Sequence, residues 1–247
     1  MSSRGDLSLD SFSYEERIIV ALDVPSRAEA LELIELLPRA RFFKVGLRLF
    51  VAEGPALIRE ITRREKEVFL DLKLHDIPNT VAQAVEEAVK LGVRMMTLHV
   101  AGGRLMMTRA VEVVEKLGNT EEKSRPFLLG VTVLTSLSAL DLKEIGMTAE
   151  PSRQVLQLAR LAGECGLDGL ICSPLEVEEV RRIVRPDMIL ITPGIRPSWS
   201  ARDDQKRVLT PRQAFQRGAD FIVIGRPIIA APRPPEAFSR ILEEIRG

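Results

Sequence analysis

Residues 68–80 read VFLDLKLHDIPNT. An apolar run gives way to Asp71, Lys73 and Asp76 as it ends, and Pro78 then enters TVAQAVEEAVKLG, whose apolar residues recur at helical spacing. A run apolar on both faces suits a strand covered on both sides. Proline at the first helical position is favourable, because the N–H it lacks would find no partner there. The unit is therefore strand, charged corner, helix, and it recurs along the chain. Eight such runs are present: RIIVALDV from 17, RFFKVG from 41, EVFLDLK from 67, RMMTLHV from 94, FLLGVTV from 127, LDGLICS from 167, DMILITP from 187 and DFIVIG from 220. Between them lie helical patterns such as SRAEALELIELL, GPALIREITRRE, GRLMMTRAVEVVEKLG and SRQVLQLARLAGECG, with Ser26 as a first cap and Gly92, Gly118 and Gly166 as stops. Eight strand–helix units in a chain of this length predict a (β/α)8 TIM barrel, an α/β fold in a single domain over residues 14–247. The rival doubly wound sheet lacks its GxGxxG turn, since LDVPS follows the first strand. Residues 1–13, rich in Ser and Asp without apolar periodicity, are expected to form a flexible tail.

Composition narrows the function. Of the 247 residues 45% are hydrophobic, enough for a substantial core, and 35 basic residues balance 35 acidic ones. A neutral chain has no global field to draw it to nucleic acid or an anionic membrane, and RRIVR at 181–185 reads as a solvated helix face. No apolar stretch approaches the roughly 18 residues that span a bilayer. Cys165 and Cys172 form no CxxC pair and no signal-peptide pattern is present, so the expected compartment is the reducing cytoplasm, with both thiols buried as small hydrophobes.

In such a barrel the active site lies at the carboxyl ends of the strands. The polar residues closing the eight runs are Asp23, Lys44, Asp71 with Lys73, His99, Thr132 with Thr135, Ser173, the PGIR segment ending in Arg196, and Gly225 with Arg226. Singly each has a bland reading: Asp23 and Asp76 as helix caps, Lys44 as a salt-bridge partner, Arg226 as a surface residue after a turn glycine. Together they place carboxylates and ammoniums alternately at one end of a barrel, where charge is costly to bury without a partner or ligand. Strand alternation points Asp71 and Lys73 to one face, and Asp76 lies just beyond the strand. Carboxylates beside an ammonium favour its charged form, which makes Lys73 a general acid and a poor Schiff-base nucleophile.

Phosphate sites in these barrels are built by the loops after the seventh and eighth strands. Gly225 and Arg226 follow the eighth run, and Arg196 and Gln205 lie in the long 193–210 connection, so a phosphorylated small molecule is the expected substrate class. The other long connection, 133–151, is also a candidate functional loop. Asp23, Asp71, Asp76 and His99 would suit a metal in ligand type, but two lysines among them oppose a cation, and His75 and His99 lack a partner at ligand spacing, which leaves them as hydrogen-bonded structural residues. There is no GxSxG elbow.

The stretch DLKLHDIPNT, taken with ALDV at 21–24, FKVG at 43–46, LTS at 134–136, PGIRP at 193–197, DDQ at 203–205 and IGRPI at 224–228, closely resembles the orotidine 5'-phosphate decarboxylases of bacterial type, in order from about residue 17 to 247. DxKxxD alone marks a wider suprafamily that includes 3-keto-L-gulonate 6-phosphate decarboxylase and hexulose-phosphate synthase; those two relatives usually need magnesium and carry glutamate where this chain has Lys44, and the difference points to the metal-free decarboxylase. The resemblance implies decarboxylation of orotidine 5'-phosphate (OMP) to UMP without metal or organic cofactor. It implies that Asp23 and Lys44 hold the ribose hydroxyls, that Asp71 lies beside the substrate carboxylate, and that Lys73 delivers the proton to C6. It implies a homodimer in which Asp76, Ile77 and Thr80 reach the partner's site, with Thr135 on the pyrimidine and Arg196, Gln205, Gly225 and Arg226 on the phosphate. The alternatives are a magnesium-dependent sugar-phosphate decarboxylase or synthase on the same barrel, and a noncatalytic nucleotide-binding sensor.

Overall fold

The computed structural model describes residues 12–117, 125–147, 150–200 and 209–247. Its strands are β1 (Ile18–Ala21), β2 (Phe42–Gly46), β3 (Glu67–Leu74), β4 (Met95–His99), β5 (Phe127–Val131), β6 (Gly169–Ile171), β7 (Ile189–Thr192) and β8 (Phe221–Ile224). They are parallel and close into a barrel in sequence order, β1 pairing with both β2 (Ile19 opposite Phe42) and β8 (Ile19 opposite Val223). The helices are α1 (Arg27–Leu36), α2 (Leu47–Arg63), α3 (Pro78–Leu91), α4 (Arg104–Leu117), α5 (Ala139–Glu144), α6 (Pro151–Glu164), α7 (Val177–Ile183), α8 (Pro211–Gln216), α9 (Arg226–Ile229) and α10 (Pro234–Arg246). The expected (β/α)8 barrel is the observed fold.

Alternation along each strand divides the core into two layers. Ile19, Ala21, Phe42, Phe69, Met95, Leu129, Ile191 and Phe221 fill the barrel, while Ile18, Val20, Phe43, Val68, Leu70 and Ile222 pack outward among the helices. Each fully buried aliphatic or aromatic side chain contributes about 1.5–3 kcal/mol. Close packing explains one glycine: a Cβ on Gly169 would lie 2.4 Å from the Ile189 carbonyl oxygen, so β6 approaches β7 only without a side chain there.

Local signals act as read. The Ser26 side chain accepts from the Glu29 amide, Pro78 opens α3, and Gly92, at φ 77°, closes it in the left-handed region. Gly118 lies outside the described residues. The pattern starting at GPALI is the second half of a longer element: α2 begins at Leu47 and breaks at Gly54, whose φ is 63°. The 133–151 connection contains α5, where Ser138 and Asp141 form a reciprocal capping box. In the other long connection the flanks meet, Ile195 pairing with Leu209.

Two expectations need correction at the amino end of the barrel. The tail boundary at residue 13 runs through packed structure: Phe12 is buried, 6.0 Å from the Phe42 ring and 5.6 Å from that of Phe221, with the Arg41 guanidinium 5.1 Å above it. It fills the open mouth of the inner layer. Nor is RRIVR a solvated face, because only Arg182 behaves so. Arg181 donates to the carbonyls of Met188 and Gly218 and pairs with Asp220, and Arg185 donates to those of Gly163 and Leu167. Five donors in a planar fork let one arginine close several strand and helix ends at once. Among the described residues no helix is long and apolar enough to cross a membrane. Both cysteines are free and buried, as expected.

Candidate active site

The carboxyl ends of β1, β2 and β3 bring four of the predicted charges together. Lys44 Nζ lies 3.1 Å from Asp23 Oδ1 and 3.9 Å from Asp71 Oδ2, and Lys73 Nζ lies 2.8 Å from that same Asp71 oxygen. The result is a row of carboxylate, ammonium, carboxylate and ammonium. Burial grades across it: the side chains of Lys44 and Asp71 are each 12% exposed, Lys73 33% and Asp23 58%. Space for the row is made by backbone. A Cβ on Gly46 would stand 3.0 Å from Lys44 Nζ, and one on Gly225 would stand 3.3 Å from Asp23 Oδ2.

Pleat alternation alone does not produce the Asp71–Lys73 contact. Opposite β4, Leu70 pairs with Met96 but Leu74 pairs with Leu98, so β3 carries extra residues and bulges between them. Lys73 takes the strain with a φ of 52°, a left-handed conformation uncommon for a residue with a side chain. Its amide, displaced from the ladder, donates to Thr97 Oγ1 at 2.9 Å, and Thr97 Oγ1 in turn donates to Asp71 Oδ1 at 2.9 Å. Thr97 is 1% exposed. Sequence reading missed it by attending only to the last polar residue of each run, whereas its signal was a lone hydroxyl inside RMMTLHV, on the same strand face as His99.

His99 itself is half-buried, its ring 5.5 Å from that of His75. Burial, then the neighbouring His75 and Lys73, hold its imidazole below the usual value and therefore neutral at pH 7. Among the described residues these histidines make a ring contact with each other rather than the hydrogen bonds expected of them.

The remaining predicted residues surround this end without joining the row. Asp76 is exposed just past β3, its Oδ1 accepting the Ile77 amide at 2.6 Å; Ile77, 67% exposed, and Thr80 stand at the start of α3. Thr135 is exposed in the turn after β5. Thr132 and Ser173 are buried, and Thr132 Oγ1 donates to the Ile171 carbonyl at 3.4 Å. Arg196 is buried after β7, its amide donating to the Leu209 carbonyl and its Nη1 to that of Ile195. Gly225 caps α9 and the exposed Arg226 opens it. Gln205 lies outside the described residues. Among the described residues no three His, Cys, Asp or Glu side chains gather as a metal site. Chemically the row offers two ammoniums at the carboxyl end of the barrel, Lys44 between two carboxylates and Lys73 against one of them.

Known proteins resemble this chain in sequence and in fold. It is 46% identical over 231 residues to the orotidine 5'-phosphate decarboxylase of Gloeothece citriformis, an alignment covering 93% of this chain and 97% of that one. With the enzyme of that name from Nostoc sp. the identity is 47%, over the same shares. The crystal structure of orotidine 5'-phosphate decarboxylase from Lactobacillus acidophilus superposes with a TM-score of 0.84 at 37% identity, covering 94% of this chain and all of that one. With residues 16–241 matching its model as well, the chain belongs to the orotidine 5'-phosphate decarboxylase / HUMPS family.

Proposed function

We infer that this chain decarboxylates OMP to UMP and carbon dioxide, the last step of de novo UMP synthesis, using no metal or organic cofactor. The observation that carries the reading is the placement of Lys73 Nζ 2.8 Å from Asp71, with Lys44 and not a glutamate at the end of β2. Breaking the C6–carboxylate bond leaves its electron pair on C6, where no adjacent carbonyl delocalises it. The ammonium of Lys73 stabilises that charge as it develops and then transfers a proton to C6, while carbon dioxide departs. Asp71 holds the Lys73 ammonium in place, and Lys44 approaches the same carboxylate oxygen. Asp23 and Lys44 hold the ribose hydroxyls, Thr135 meets the pyrimidine, and Arg226 with Gly225, Arg196 and Gln205 takes the phosphate. Binding energy gathered at the phosphate, far from C6, is then available for positioning.

The functional unit in this reading is a cytoplasmic homodimer in which Asp76, Ile77 and Thr80 complete the partner's site. Exposed apolar side chains on neighbouring elements support it: Ile77 at 67%, with Leu47 at 56% and Val51 at 78% on α2, and Leu105 at 62% on α4. Sedimentation fixes the oligomeric state, and mixing Lys73→Ala with Asp76→Asn subunits regains activity only if sites are shared.

The primary test follows the ultraviolet absorbance of OMP with purified protein in excess EDTA, beside Lys73→Ala. Loss of the orotate chromophore with wild type alone is expected. No change with either protein, followed by turnover of a sugar phosphate once magnesium is restored, would replace the decarboxylase reading with the magnesium-dependent one.

A further inference from the structure

We propose that Thr97 is a positioning residue for the decarboxylation, its single hydroxyl fixing both the carboxylate of Asp71 and the backbone of Lys73. The inference rests on the assignment of Asp71 and Lys73 to the reacting centre, and it comes from hydrogen bonds on one buried oxygen. Thr97 Oγ1 spends its one proton on Asp71 Oδ1 and accepts the Lys73 amide, each at 2.9 Å. Asp71 Oδ2 is thereby left to the lysines, 2.8 Å from Lys73 Nζ and 3.9 Å from Lys44 Nζ. A carboxylate torsion is otherwise broad and roughly two-fold, so without a donor on Oδ1 the plane of the group is set by the ammoniums on Oδ2.

The second bond acts on the main chain. The bulge between Leu70 and Leu74 takes the Lys73 amide out of the β3–β4 ladder and puts Lys73 at a φ of 52°. An amide so displaced needs a partner. The hydroxyl supplies one from β4, the neighbouring strand, and pins the strained residue whose side chain carries the proton. Thr97 meets neither substrate nor reacting atom in this account. It acts through Asp71 and Lys73, so its removal should show in turnover and leave ligand binding alone.

The experiment measures kcat and KM for OMP, and UMP affinity by titration calorimetry, on wild type, Thr97→Val, Thr97→Ser and Lys73→Ala. The valine keeps shape and removes the donor; kcat should fall about 10- to 100-fold, with KM and UMP affinity within about twofold of wild type. The serine retains the hydroxyl and should restore kcat to within about threefold. Thr97→Ala removes the same donor and supplies the measurement if the valine variant does not fold. Wild-type kcat in the variants lacking the hydroxyl would overturn the proposal. So would a serine variant as impaired as valine, which would assign the effect to the methyl group, or a loss confined to KM. An inert Lys73→Ala beside an intact Thr97→Val would remove Thr97 alone, whereas an active Lys73→Ala would remove the reading of the site on which the proposal stands.

Discussion

The two ends of the barrel both carry charge inside a fold whose interior is apolar, and they handle it in opposite ways. At the amino end the buried carboxylates Asp168 and Asp220 each have structural counterparts. Arg125 Nη1 pairs with Asp168 Oδ1 at 2.8 Å, with side chains 9% and 6% exposed, and Asp168 Oδ2 accepts the Leu128 amide at 2.9 Å. Asp220 repeats the device, accepting the Leu190 amide at 2.7 Å and pairing with Arg181 and Arg17. Phe12 closes the opening between them. At the carboxyl end two ammoniums converge on one oxygen of Asp71, and a strained lysine is held by a single hydroxyl. Fully partnered charge locks strand ends in place. Crowded charge leaves interactions to be completed by a molecule from outside, so sites of function are where local rules are broken.

Removing charge at each end tests that contrast. The largest effect belongs to Lys73→Ala, which should lower kcat on OMP by at least about a thousandfold while sparing UMP binding, because it removes both the charge stabilisation and the proton. Its melting temperature should stay at or above that of wild type, and a large loss of stability would erase the difference between the ends. Next comes Asp168→Ala, which leaves Arg125 buried and unpaired and should cost about 3–5 kcal/mol in urea unfolding while the folded protein keeps its kcat. Arg226→Ala sharpens the division within the carboxyl end: on the proposed phosphate role it should weaken OMP binding and cost about 2–3 kcal/mol in transition-state stabilisation, read from kcat/KM.

The smallest effect is a pH dependence. Burial holds the folded-state value of His99 below its unfolded one, so the neutral ring favours folding. That stability is fully present above the unfolded value of about 6.5 and is lost as pH falls through the folded one. His99→Gln should flatten the slope of unfolding free energy against pH on the acid side of neutrality. An unchanged slope would assign it to other groups.

The legible part of the site was the part that obeys local rules. Asp23, Lys44 and Asp71 each close an apolar run, and closing a run in a parallel barrel means standing at one end of it. Ser26, Pro78 and Gly92 were equally plain, because capping and turn chemistry act within a few residues. The role of Thr97 was not legible, since it depends on which strand lies beside β3 and on a bulge that no residue type announces. Phe12 was hidden for a related reason: one aromatic in a polar segment has no periodicity, and its burial depends on a space that exists only after the barrel closes. Arg181 and Arg185 looked like a solvated run because their carbonyl partners, at Met188, Gly218, Gly163 and Leu167, belong to other elements.

By itself the sequence determined the repeated strand–helix unit, the end of the barrel that bears the charge, and the residue types there, since hydrophobic period and the polarity of run ends are properties of the chain. Only the tertiary structure decided the distances: which oxygen of Asp71 meets which lysine, the left-handed turn at Lys73, and the hydroxyl from β4 that holds both. Those follow from strand register and closure, which join residues far apart in the chain and are settled by packing the whole barrel at once.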